Sequence, residues 1–347
     1  MNRTTLGRTG IEVSDYCLGT MTWGNQTPEA EAHSQIDAAL DAGIDFMDTA
    51  EMYPVAPVRK ETIGGTEEVI GNWLEKTGRR ADVVIATKHT GTSEMVRDNR
   101  PIGADTVRDT LEGSLRRLKT DYVDVYQFHW PNRGSFMFRQ NWVFDPRKQP
   151  SANEILDEFA AIMEVLAELV KEGKIRAFGL SNDSAWGTMQ WLAAAERAGG
   201  PRVATMQNEY SLLCRLYDTD MAELAHHEDI TLLAFSPLAA GFLTGKYQNG
   251  AIPEGSRMSI NDTMGGRKSA RVFEATQAYL DIATRHGLDP VHLSLAWCVQ
   301  RPFPTIPIFG ATTMPQLQRI LGGLDLTLPE EVLDEVSKAH RAHPMPY

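Results

Sequence analysis

Gly43-Ile44-Asp45-Phe46-Met47-Asp48 is a short apolar run that stops at a carboxylate, and Tyr53 follows five residues later. The pattern recurs downstream. Asp82-Val83-Val84-Ile85-Ala86-Thr87 ends at Lys88, and Tyr122-Val123-Asp124-Val125-Tyr126-Gln127-Phe128 ends at His129. Short β-branched runs of this kind, set between amphipathic stretches, read as strands of a parallel sheet. In a barrel of parallel strands the C-terminal strand ends converge on one mouth, so residues about 40 apart become neighbours there.

The same rhythm extends along the chain. A hairpin is expected at the start, from Thr4–Leu6 and Ile11–Val13 around Gly7-Arg8-Thr9-Gly10. Strands are expected at Tyr16–Gly19, Ile44–Asp48, Val83–Thr87, Tyr122–Phe128, Ile175–Leu180, Val203–Met206, Thr231–Phe235 and Thr305–Phe309. Helical patterns lie between them. One example is Ala104–Leu118, where Val107, Leu111, Leu115 and Leu118 recur at 3–4 spacing. A helix from about Met314 is expected to close the unit. Eight alternating units over 347 residues predict a single (β/α)₈ TIM barrel spanning 1–347. The rival doubly wound sheet would carry a G-x-G-x-x-G turn after its first strand, and that turn is absent. Two stretches, Pro131–Ala152 and Gly241–Ala270, are too long for plain connectors. Both leave strand C-terminal ends, so both are expected to overhang the mouth.

Composition narrows the partners. Asp and Glu number 46 against 34 Lys and Arg, and the net charge of −12 argues against nucleic acid or an anionic membrane as the main partner. Cys17, Cys214 and Cys298 are scattered and odd in number, with no CxxC, so neither a disulfide framework nor a zinc site is expected. They read as core residues. With no apolar leader at the N-terminus and no membrane-length apolar run, a cytoplasmic location is expected.

Taken one at a time, the strand-end residues have bland readings. Asp48 could cap a turn, Lys88 could be a solvated loop lysine, and Tyr53 and His129 could be core-edge residues. Their joint placement is what suggests chemistry. A free phenol has a pKa of ≈10, too high for efficient proton donation near neutrality. An ammonium ~4 Å away, at an effective dielectric of ~20, favours the phenolate by roughly 4 kcal/mol. Asp48 would hold Lys88 charged, and His129 would hydrogen-bond a substrate oxygen or help relay the proton. Such a set donates a proton to a carbonyl oxygen while hydride arrives at carbon. None of the four side chains can supply hydride, so a nicotinamide cofactor is required. A metal-dependent hydrolase would need several His and carboxylate ligands at the strand ends, and only His129 and Asp48 qualify.

With Asp48-Thr49-Ala50…Tyr53, Lys88 and His129 in this order, the chain resembles the aldo-keto reductases over its whole length. Gly19–Gly24, Ala50–Pro54, Ile70–Leu74, Gln127–Pro131 and Gly310–Met314 resemble the bacterial Tas-type branch. The resemblance implies reduction of a small-molecule aldehyde or ketone with NADP(H) and no metal, with Asp48, Tyr53, Lys88 and His129 catalytic. It implies that Thr20, Met21, Asp48, Ser181, Asn182 and Gln207 surround the nicotinamide, and that Phe235 stacks on it where relatives often have Tyr or Trp. Ser236, Pro237, Leu238, Gly241, Leu243, Gly245 and Lys246 would wrap the pyrophosphate. Gly310, Ala311, Thr312, Thr313 and Gln316 would hold the adenosine phosphate. Relatives commonly carry a basic residue early in that last loop, and this chain has Thr312 there, with Ile320 on the helix beyond. Arg319, Lys246, Arg267 and Lys268 are then the candidate partners of a 2′-phosphate. Trp23 and Trp130 either line the substrate pocket or pack the mouth loop on the barrel. The alternative implied by the same superfamily is a nucleotide-binding sensor with little turnover, like channel β subunits.

Overall fold

The apolar runs become strands of one ring. The computed structural model describes residues 2–347. After a hairpin of β1 (Arg3–Thr5) and β2 (Glu12–Ser14) come β3 (Cys17–Gly19), β4 (Phe46–Asp48), β5 (Val84–His89), β6 (Val123–Phe128), β7 (Ile175–Ser181), β8 (Val203–Glu209), β9 (Thr231–Phe235) and β10 (Thr305–Phe309). β3 to β10 pair in parallel, and the ring closes between β10 and β3. The fold is the expected (β/α)₈ barrel with an N-terminal hairpin.

The pleat sorts side chains into two layers, because successive residues of a strand face opposite ways. Phe46, Ala86, Val125, Ala177, Leu233 and Ile306 cluster with Leu6, Ile11 and Val13 of the hairpin arm, which thereby closes the barrel floor. Met47, Ile85, Tyr126 and Phe178 join the larger core under the helices. Two residues beyond the floor on their strands, Asp48, Lys88 and Gln127 form the next inward layer. β4 and β5 align Asp48 with Ala86, and β5 and β6 align Lys88 with Gln127.

The helices follow from local signals. α1 (Glu29–Asp41) begins after Pro28, and α2 (Gly65–Thr77) and α3 (Ala104–Leu118) pack together. Gly71 permits that contact, since a Cβ there would lie 2.1 Å from the Arg117 carbonyl oxygen. α4 (Ala152–Lys171) opens with a reciprocal Ser151/Glu154 cap and buries Ile155, Phe159, Ile162, Met163, Leu166 and Leu169. α5 (Ala185–Ala198), α6 (Asp220–Glu228), a short α7 (Arg257–Ile260), α8 (Ala270–Arg285), α9 (Pro290–Val299) and α10 (Met314–Leu321) complete the ring. The chain does not close at α10, as the sequence suggested. A further helix, α11 (Glu330–Ala342), packs on α8 through a face that buries Val332 and Val336. Among the described residues, no helix is long and apolar enough to cross a membrane.

Candidate active site

At the mouth, Lys88 is fully buried and Asp48 nearly so. Lys88 Nζ donates to Asp48 Oδ2 at 2.6 Å and to the Thr49 carbonyl at 2.7 Å. The other carboxylate oxygen, Asp48 Oδ1, accepts from Gln207 Nε2 at 2.7 Å and more weakly from Gln127 Nε2 at 3.4 Å. Four strands thus hold one buried ion pair. Tyr53 sits on the turn after β4, its N–H bonded back to Ala50. Lys88 Nζ lies 4.9 Å from the centre of the Tyr53 ring, and the His129 ring meets Tyr53 edge-on at 5.8 Å. The four residues read from strand ends are one cluster.

Electrostatics here differ from the sequence expectation in one respect. Burial pushes the Tyr53 phenol above its ordinary value of 10; Lys88 and Arg257 oppose the rise, and Asp48 reinforces it. Desolvation outweighs the ammonium, so Tyr53 holds its proton firmly at neutral pH. Lys88 is disfavoured by burial, yet Asp48 and Tyr53 keep it above its ordinary value, so it stays charged. Burial and then Lys88 drive His129 well below 6.5, which makes it a neutral imidazole.

Beside this cluster lie polar atoms without partners among the described residues. Asn182 Nδ2 donates to the His129 carbonyl and to Ser181 Oγ, both at 2.9 Å, while its buried Oδ1 accepts nothing. Ser181 Oγ donates to the Gln207 carbonyl at 2.7 Å. His129 Nδ1 and Asn208 Oδ1 are likewise buried and unpartnered. Thr20 is buried and donates its hydroxyl to the Asp48 carbonyl, and the half-buried Met21 accepts from the Val55 N–H through its carbonyl. Phe235 ends β9 half-buried. Beyond it the chain coils tightly, with positive φ at Ser236, Ala239, Ala240, Gly241 and Gly245. Pro237 and Leu243 are buried in that coil, and Leu238 and Lys246 are partly exposed.

At the adenosine end, two of the four candidate cations already have carboxylate partners. Arg319 is engaged with Asp289 by two hydrogen bonds of 2.7 and 3.0 Å. Arg267 is buried against Glu209 at 2.7 Å. Neither is idle, because each found a carboxylate from a distant segment. Lys246 and Lys268 remain partly or fully exposed. In the Gly310–Gln316 loop, Ala311 is buried and Thr313 exposed, while Thr312 donates its N–H and hydroxyl to Gln316 Oε1. Ile320 is a core residue of α10. Sequence reasoning missed Arg257 of α7. Its guanidinium makes no hydrogen bond or ion pair among the described residues, although burial lowers its pKa and its charge is felt at Tyr53. A run of Gly and Pro before Ser256-Arg257 was the available signal, and it does not distinguish Arg257 from its neighbours.

The aromatic expectations divide. Trp23 is fully buried and donates its indole N–H to Gln35 of α1 at 3.2 Å, so it presents no surface to a substrate. Trp130 is partly exposed, leans on His129 at 4.9 Å and meets Phe138 edge-on at 6.1 Å. Gly91 makes room for it; a Cβ there would lie 2.2 Å from the indole nitrogen.

The sequence model of the aldo/keto reductase family matches residues 16–341. The chain is 42% identical to protein Tas of Escherichia coli over 340 residues, 97% of this chain and 96% of that protein. It is 33% identical to the uncharacterised oxidoreductase YrpG of Bacillus subtilis over 344 residues, covering 96% and 94% of the two chains. It is 30% identical to a probable voltage-gated potassium channel subunit beta of Arabidopsis thaliana over 357 residues, covering 98% and 96%.

Proposed function

The chain belongs to the aldo/keto reductase family, and from that membership we propose that it reduces aldehydes or ketones with NADP(H), using Tyr53 as the proton donor. The observation that carries the reading is the buried Lys88–Asp48 pair set against the Tyr53 ring. Bound nicotinamide supplies the hydride. The chain's own residues do the rest. Tyr53 gives its proton to the carbonyl oxygen, and the Lys88 ammonium stabilises the phenolate left behind. Asp48, anchored by Gln207, keeps Lys88 charged and aimed. Neutral His129 hydrogen-bonds the same oxygen, and Trp130 with Phe138 forms an apolar wall.

The residues present suit the cofactor. Asn182 Oδ1 lacks a donor, and a carboxamide N–H₂ would provide one. In the coil after Phe235 the N–H groups of Ala239, Gly241, Leu243 and Gly245 already donate to carbonyls of the same coil, so a phosphate there would rely on the side chain of Lys246. Arg257 supplies a positive charge that no carboxylate among the described residues neutralises. Arg257 joins Lys246, Lys268, Arg319 and Arg267 as a candidate contact for cofactor phosphates, the last two being already paired with carboxylates.

Relatives named as channel subunits favour a second reading, a barrel that binds nucleotide and hardly turns over. Fluorescence titration with NADPH and NADH, followed by a carbonyl panel under multiple-turnover conditions, separates the two. The reductase reading expects many turnovers per site with at least one aldehyde. Tight NADPH binding with a single slow turnover on every carbonyl would replace it with the sensor reading.

A further inference from the structure

Glu209 ends β8 two residues past Gln207, and its carboxylate is almost fully buried. Three distant segments converge on it. Arg139, from the loop after β6, donates to Oε2 at 2.6 Å. Arg267, from the loop after β9, donates to Oε1 at 2.7 Å, and Tyr347 donates its hydroxyl to the same oxygen at 3.2 Å. Burial alone would raise the Glu209 pKa, but the two guanidiniums hold it below the ordinary carboxylate range. The arrangement is therefore ionised at neutral pH, and it joins the two loops.

The 131–151 loop also meets the 236–270 loop and the start of α8 away from this junction. Arg271 lies over the Trp142 ring at 5.6 Å, and the Arg139 guanidinium passes beside Gly265 and Gly266. Phe138 and Arg139 both have positive φ, a conformation that non-glycine residues hold only when their surroundings impose it. Phe138 is the residue that meets Trp130 beside His129. The same loop binds the candidate cofactor shell, since Ser135 Oγ donates to the Asn182 carbonyl at 2.8 Å.

We propose that Glu209 is a positioning residue that couples the two mouth loops, so that a cofactor held by the 236–270 segment orders the 131–151 segment that walls the substrate pocket. The inference rests on the cofactor reading given above. Glu209 touches neither substrate nor reacting atoms. It acts by holding Arg267 on the cofactor side and Arg139 on the substrate side of one carboxylate. Occupancy of one loop then lowers the entropy left to lose in ordering the other.

Hydrogen exchange on the full chain tests this, with NADPH as the probe. In the wild type, NADPH should slow exchange about tenfold or more in both 236–270 and 131–151. Arg139→Met leaves the Glu209–Arg267 pair in place and should keep the protection of 236–270 while losing that of 131–151. Arg139→Lys should restore part of it. The carbonyl KM of Arg139→Met should rise with little change in NADPH affinity. Equal protection of 131–151 in Arg139→Met and wild type overturns the proposal, as does a wild type in which only 236–270 responds. If neither segment responds to NADPH in any of these proteins, the cofactor reading has failed and the coupling falls with it.

Discussion

Replacing Lys88 by Met removes a charge from the centre of the barrel while nearly conserving volume. Lys88 is fully buried and makes two short hydrogen bonds, to Asp48 and to the Thr49 carbonyl. Without it, Asp48 is a buried carboxylate supported only by Gln207 and Gln127. Breaking one side of a buried pair costs about 3–5 kcal/mol. With an unfolding entropy of ~2.1 cal/mol/K per residue, 347 residues give about 0.7 kcal/mol/K, so the melting temperature should fall by about 4–7 °C. Activity should fall as well. A unit charge 4.9 Å from the Tyr53 ring centre is worth about 3 kcal/mol at an effective dielectric of ~20, or about two orders of magnitude in rate. The control is the double variant Lys88→Met/Asp48→Asn, which leaves no unpaired charge. It should regain most of the lost stability and none of the activity. Calorimetry and steady-state kinetics on the three proteins decide the matter. A double variant no more stable than Lys88→Met would refute the claim that the unpaired carboxylate is the source of the cost.

Tyr53→Phe should lower reductase turnover at least ~10²-fold while NADPH affinity stays near normal, because the ring remains and only the acid is gone; near-normal turnover would remove Tyr53 from its role. Burial and then Arg97 push His89 down to about 4 from 6.5, so between those values the unfolded chain takes up a proton that the folded chain refuses. Stability then falls on acidification, by about 2 kcal/mol from this residue between pH 7 and 5. A His89→Gln variant with the same pH slope as the wild type would contradict this. His129 is held neutral in the same way, so kcat/KM should show no ionisation near pH 6.5. NADPH should bind more tightly than NADH, with a preference that weakens as salt rises, because the exposed cations on offer are screened within ~10 Å at 0.1 M. Equal affinities at low and high salt would favour a dual-cofactor enzyme, and Arg257→Met should weaken binding of both nucleotides if it meets the pyrophosphate.

The barrel and its four central residues were legible in the chain as written, because both depend on short-range order. Alternation along Phe46–Asp48 or Val84–Lys88 sets which side chain faces inward, and a parallel ring brings every strand end to one mouth. Three-dimensional packing settled what local pattern cannot express. Trp23 stands in the same Gly-Thr-Met-Thr-Trp-Gly stretch as Thr20, yet Gln35 of α1 draws its indole into the core. Arg267 and Arg319 read as free cations until Glu209 and Asp289 arrive from 58 and 30 residues away. The direction of the Tyr53 shift also depends on how deeply the phenol is buried, a sum over neighbours from several strands. Charge partners and desolvation are set by distance in space, whereas strand alternation is set by distance along the chain.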